Sequence, residues 1–227
     1  MRRRLLVITG MALFLAACES LPVVQPAAPG QVPSWWGMLP RGWTKIPSIV
    51  IVGVTDDPRL EAAREAIDFW NRTLADLGSG FRLGLVSQST QAVPAEEMET
   101  LSEAVLGGRR RPLGFPSSLR AIRGDLILVL SDGDFISFAA RDGDKAVVGI
   151  RTHRVPPVSL PNVAPNLIAH EIGHALGLGH NSDKTTLMCG RPAACRPGDF
   201  RSAEKRWFPL TEADKAYLLR TYPPTWK

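Results

Sequence analysis

The chain has 227 residues and 44% hydrophobic residues, enough for one domain with a sizeable core or two small ones. Its formal charge of +5 includes Arg2, Arg3 and Arg4, which lie in a segment expected to be removed; without them 24 basic residues face 22 acidic ones. That near balance argues against nucleic-acid binding as the basis of function, in spite of the high isoelectric point. The three cysteines are Cys18, Cys189 and Cys195, the last two only six residues apart. In an exported protein this pattern reads as one disulfide plus one modified thiol.

Residues 1–17 read as a secretory signal. Arg2–Arg4 form a positive start, and residues 5–17 are an apolar run too short for a comfortable membrane span. The run ends in Leu15-Ala16-Ala17-Cys18, which resembles the lipobox of bacterial lipoproteins. The resemblance implies cleavage before Cys18 and attachment of a diacylglyceryl group to its thiol, which would hold the protein on a membrane without spanning it. The alternative is an ordinary signal peptide with Ala-x-Ala cleavage and an incidental Cys18. Under the lipoprotein rule, Glu19 in place of an aspartate implies an outer-membrane destination in the bacterial envelope, facing the periplasm or the cell surface. Residues 18–42 carry Pro22, Pro26, Pro29 and Pro33 among small residues and read as a tether. Trp35, Trp36 and Trp43 break that pattern and are expected to pack as a strap on the domain, with lipid or a partner as the alternative contact.

Residues 43–227 form the expected domain. The β-branched run at 46–54 predicts a buried strand, and Asp56-Asp57-Pro58 a stop before a helix. A helix is predicted over 60–77, with Ala63, Ile67, Trp70 and Leu74 on one face and Gly78-Ser79-Gly80 ending it. Alternation at 81–86 predicts a second strand, so the order suggests a parallel βαβ unit. A helix at 94–106 places Met98, Leu101 and Val105 on one side. Arg109-Arg110-Arg111 lie in a Gly- and Pro-containing loop, either solvated or a patch for acidic substrate or lipid headgroups. Residues 125–131 are almost entirely apolar and predict a central strand covered on both faces. Asp132-Gly133-Asp134 and Asp142-Gly143-Asp144 read as turns, with a calcium site as the alternative use of their carboxylates. Residues 146–151 predict another strand, and Pro156, Pro157, Pro161 and Pro165 a rigid connection onward.

Pro165 suits the first turn of a helix that continues over 166–176. On it His170 and His174 stand four apart, on one face, a spacing that suits two imidazoles on one tetrahedral zinc ion. Glu171 is rotated from them by about 100° and can reach a water at the metal without displacing it. Gly177 breaks the helix and lets the chain swing back, so that His180 becomes a third ligand. Three protein ligands and one open position characterise a catalytic zinc.

The stretch from His170 to His180, His-Glu-x-x-His-x-x-Gly-x-x-His, resembles the signature of metzincin zinc peptidases, and its wording is especially similar to the matrixins. Met188 falls where that family has the methionine of its Met-turn. The stretch Leu210-Thr211-Glu212-Ala213-Asp214 through Tyr222 is similar to the C-terminal matrixin helix, and Thr211 suits an N-cap in its own right. The resemblance implies an α+β fold with an α/β-like N-terminal subdomain: a twisted mixed sheet, two long helices, and a small C-terminal subdomain with the Met-turn and a final helix. Extra histidines for a structural zinc are missing; His153 alone remains, read as an exposed bystander or a substrate contact.

The expected function is a zinc-dependent endopeptidase with one catalytic zinc and Glu171 as general base toward the zinc-bound water, acting on a protein or peptide substrate, monomeric, with the membrane reached through Cys18. A metzincin-like binding protein with little turnover is the alternative; hydrolysis of cell-wall peptide bonds is a third reading. For Cys189 and Cys195 a disulfide beside the Met-turn is expected, bordering the pocket for the substrate side chain after the scissile bond; the alternative is a Cys189 thiolate competing for the zinc.

Overall fold

The computed structural model describes residues 42–107, 114–154, 156–190, 193, 195, 198, 202 and 204–227. Cys18, Glu19, Trp35, Trp36 and Arg109–Arg111 lie outside them. The elements run β1 (Ile49–Val52), α1 (Arg59–Asp76), β2 (Val86–Ser89), α2 (Ala95–Leu106), α3 (Ser117–Ala121), β3 (Leu126–Leu130), β4 (Phe138–Asp142), β5 (Lys145–Ile150), α4 (Val163–Ala175) and α5 (Glu212–Thr221). Among the described residues the strands form one mixed sheet in the order β2-β1-β3-β5-β4. The first four are parallel to their neighbours, and β4 runs antiparallel to β5. This is an α+β fold. Among the described residues no helix is long and apolar enough to cross a membrane.

Strand alternation explains why β1 and β3 carry apolar residues at every position. Ile49 and Ile51, with Leu126, Leu128 and Leu130, face the core shared with α1 and α4. Val50 and Val52, with Ile127 and Val129, face the opposite side, where Met98 and Leu101 of α2 and Leu119 of α3 close a second core. Helix α1 buries Ala63, Ile67, Trp70 and Leu74, the face its spacing predicts. Trp70 then ties this helix to the next one on the same face, its indole N–H donating to the Ala169 carbonyl of α4 at 2.8 Å.

The start of α1 carries a pair that composition does not announce. Arg59, 2% exposed, donates through Nε and Nη2 to the Asp57 carboxylate at 2.9 and 2.6 Å. Its Nη1 reaches the carbonyls of Ser131 and Arg151 at 2.8 and 2.7 Å, beyond the C-terminal ends of β3 and β5. Burial pushes the Asp57 carboxyl up, but the hydrogen bonds and charge of Arg59 outweigh it and hold the acid below its ordinary value.

One sequence expectation is corrected, and one strand is new. The second strand begins at Val86, not Phe81. Phe81 and Leu83 do point inward, yet their backbone is held by other partners, Asn71 Oδ1 accepting from Leu83 N at 2.8 Å. The ladder to β1 starts where the side chains become exposed and polar. Strand β4, in a stretch for which the sequence predicts no element, pairs residue by residue with β5 from Phe138–Gly149 to Asp142–Lys145. Its short run lacks β-branched residues, and tertiary pairing overrides that weak local signal. The two Asp-Gly-Asp stretches do lie at chain reversals. Asp134 pairs with Arg151, and Asp132 with Arg154 at 3.8 Å.

Candidate metal centre

Helix α4 is buried along nearly its whole length, including His170 (8% exposed), Glu171 (5%) and His174 (4%). Two polar residues before the histidines make that burial tolerable. Asn162 donates to the carbonyls of Ser202 and Glu204 and accepts from Arg206 N; Asn166 donates to the Arg206 carbonyl and accepts from Phe208 N. These asparagines strap Ser202, Glu204, Arg206 and Phe208 along the helix. Neither was singled out from the sequence, although two asparagines at an otherwise apolar helix signal backbone partners.

The helix ends in a turn that also builds the site. Gly177 has φ +98°, a conformation only glycine takes cheaply. Its N–H donates to His174 O at 2.9 Å and that of Leu178 to Gly173 O at 3.0 Å, the paired bonds of a Schellman cap. The turn brings the Leu178 carbonyl under His174, whose Nδ1–H donates to it at 2.8 Å. His170 Nδ1–H donates likewise to Leu187 O at 2.8 Å. A carbonyl only accepts, so both rings carry their proton on Nδ1 and present a bare Nε2.

After Gly177 the chain returns and places His180 opposite these two. The three Nε2 atoms lie 3.0 Å (His170–His174) and 3.1 Å (His170–His180, His174–His180) apart. His170, His174 and His180 form the group of possible metal ligands found among the described residues. The donor set fits zinc: imidazole nitrogens about 2.0–2.1 Å from one tetrahedral ion would stand a little over 3 Å apart. Bare lone pairs facing one another at this distance repel, and a cation at their centre removes that conflict. Burial, followed by the charges of His170 and His180, holds His174 well below its ordinary value, so it stays neutral and able to ligate. Burial alone lifts the Glu171 carboxyl to about 8, and a dication beside it would draw that value down.

Met188 is completely buried beneath the site. Leu187, before it, is anchored by its N–H to Pro209 O at 2.8 Å while its carbonyl holds His170. Cys189 and Cys195 form a disulfide. Asn181, next to His180, donates to Asp214 at 3.1 Å. Asp214 and Thr211 form the capping box that starts α5, so the metal loop and the final helix share a carboxylate. His153 stays outside the cluster. It is partly buried rather than fully exposed, with Nδ1 enclosed.

Residues 158–204 match the matrixin family model. The match spans the metal helix, the three histidines and Met188, and a minority of the chain. Among solved structures the chain is similar to archaemetzincin from Methanopyrus kandleri, with 18% identity, 76% of this chain and 93% of that chain covered, and a TM-score of 0.46. No curated protein sequence matches it. The matched segment and the three-histidine cluster support a zinc metallopeptidase of the metzincin type.

Proposed function

We propose that this chain is a zinc-dependent endopeptidase of the bacterial envelope, carried on a lipid at Cys18 and acting on protein or peptide substrates. The observation that carries the enzymatic reading is the convergence of three histidine Nε2 atoms within 3.1 Å of one another, two of them bare and on the same helix as a buried glutamate. His170, His174 and His180 would hold the ion, leaving one position open. When bound, zinc supplies Lewis acidity that brings the pKa of water toward neutrality. Glu171 takes the water's proton and returns it to the leaving amine, a general base and then a general acid. Its burial keeps bulk water from competing for that proton. The Nδ1–H bonds of His170 and His174 fix both rings before any substrate arrives.

The test is zinc content together with cleavage of an unstructured protein. Glu171→Ala should retain one zinc per chain and lose turnover. Wild-type turnover by that variant would refute Glu171 as the base. Zinc bound without cleavage of protein, peptide or cell-wall substrates by the wild type would favour a binding protein instead. The lipid reading is supported by the Leu15-Ala16-Ala17-Cys18 stretch. It is checked by metabolic labelling with palmitate, which Cys18→Ser should abolish.

A further inference from the structure

The three histidines are held in different ways. His170 and His174 stand on a rigid helix, each with Nδ1–H fixed to a backbone carbonyl. His180 stands on irregular chain after Gly177. Its imidazole lies flat against the backbone of Gly190, so closely that a Cβ at residue 190 would fall 2.1 Å from His180 Cγ, 2.2 Å from Cδ2 and 2.4 Å from Nδ1. Gly190 is thus a wall of the metal site.

That wall is tied to the neighbour of His180 by a short ladder. Asn181 N–H donates to Met188 O at 2.9 Å, Gly190 N–H donates to Asn181 O at 3.1 Å, and Asn181 and Cys189 pair as an isolated parallel bridge. The Asn181 side chain fixes the near side, donating to Asp214 and accepting from Thr186 Oγ1 at 2.9 Å. The far side depends on the chain beyond Gly190. There the Cys189–Cys195 disulfide closes a small ring, with the Ala193 N–H donating back to Gly190 O at 3.1 Å. Among the described residues Gly190 itself makes two backbone bonds, its N–H to Asn181 O and its carbonyl to Ala193 N–H, and the second lies inside the ring that the disulfide closes.

We propose that the loop closed by Cys189–Cys195 is the positioning device for His180, acting on its imidazole through Gly190, so that opening the disulfide lowers the affinity of the three-histidine site for zinc. The inference rests on reading the histidines as zinc ligands. Opening the bond takes two electrons and two protons from a dithiol, which becomes its own disulfide while Cys189 and Cys195 become thiols. Peptidase activity would then follow the redox state of the compartment.

The test is competition for zinc against a chromophoric chelator. Four samples are compared: the oxidised protein, the protein reduced with a water-soluble phosphine, the Cys189→Ala/Cys195→Ala variant and Gly190→Ala. The phosphine, oxidised to its oxide with oxygen from water, avoids the zinc binding of dithiols. Loss of a ligand's supporting contact typically weakens metal binding 10–100-fold, so the last three samples should bind zinc at least about tenfold more weakly than the first. Cobalt substituted into the opened forms should show the visible spectrum of a changed coordination sphere. Circular dichroism and a thermal melt of each sample establish that the fold persists. If the double variant does not fold, the phosphine-reduced wild type and Gly190→Ala decide the matter. Unchanged or tighter zinc binding on reduction overturns the proposal, even where Gly190→Ala weakens it. If the oxidised wild type itself binds no zinc, the ligand reading fails and this inference fails with it.

Discussion

Gly173 and Met188 touch where a larger residue has no room: a Cβ on residue 173 would lie 2.6 Å from the Met188 sulfur and 3.0 Å from the Trp70 ring. Residue 173 sits between the two helical histidines, so the floor of the site and the core residue that ties α1 to α4 both press on it. Gly173→Ala forces one of them to move. Overpacking of this kind typically costs about 1–3 kcal/mol, and the loss should appear as a lowered midpoint in denaturant. An unchanged midpoint would mean that Met188 yields freely.

Tyr222 joins three parts of the chain. Its hydroxyl donates to Leu176 O at 3.0 Å, at the cap of α4, and accepts from Trp43 N at 3.1 Å; its ring stacks on Phe81 with centroids 4.3 Å apart. Tyr222→Phe keeps the stack and strands a buried carbonyl and a buried amide. A buried polar group left unsatisfied costs about 1–3 kcal/mol, so the variant should lose stability on that order in urea unfolding. Retention of wild-type stability would show that water takes over both partners.

The Asp57–Arg59 pair sets an acid limit. The folded-state pKa of Asp57 lies below its ordinary value of 3.8, so the stability it contributes is complete above that value and is lost as pH falls through the folded pKa. Asp57→Asn leaves Arg59 buried without its counter-charge, which for a broken buried pair costs about 3–5 kcal/mol near neutral pH. The gap between wild type and variant should shrink below pH 3.8 in unfolding curves recorded across pH. A gap independent of pH would mean that Asp57 acts through shape alone.

Metal removal should destabilise the centre. Three Nε2 atoms held 3.0–3.1 Å apart, those of His170 and His174 bare, are favourable around a cation and unfavourable without one. Chelation should lower the melting temperature, and zinc should restore it in proportion to the logarithm of its free concentration. His180→Ala, which removes one nitrogen, should blunt that rise; an undiminished response would place the binding elsewhere.

Much of this arrangement was legible because it rests on local periodicity. The buried face of α1, the doubly covered β3 and the His170–His174 spacing follow from side-chain repeat alone, and the Thr211 cap from short-range hydrogen bonding. The features that escaped depend on distant partners. Arg59 is an ordinary surface residue by composition and is buried because carbonyls beyond β3 and β5 converge on it. β4 exists because β5 offers a ladder, and Phe81 left the sheet because Asn71 took the amide of nearby Leu83. At the site, the carbonyls of Leu187 and Leu178 orient the rings as surely as the residues named from the sequence do, yet backbone acceptors leave no mark in a string of side chains.

The bond between Trp43 and Tyr222 makes the described body close to a ring, its first and last buried residues meeting at one point. Such a chain has no privileged beginning. A short bridge across that junction, with new ends opened at the exposed Gly143 turn between β4 and β5, should give a permuted protein with the same sheet and the same three histidines. The order in which the strands are spelled would change, while the metal centre would not.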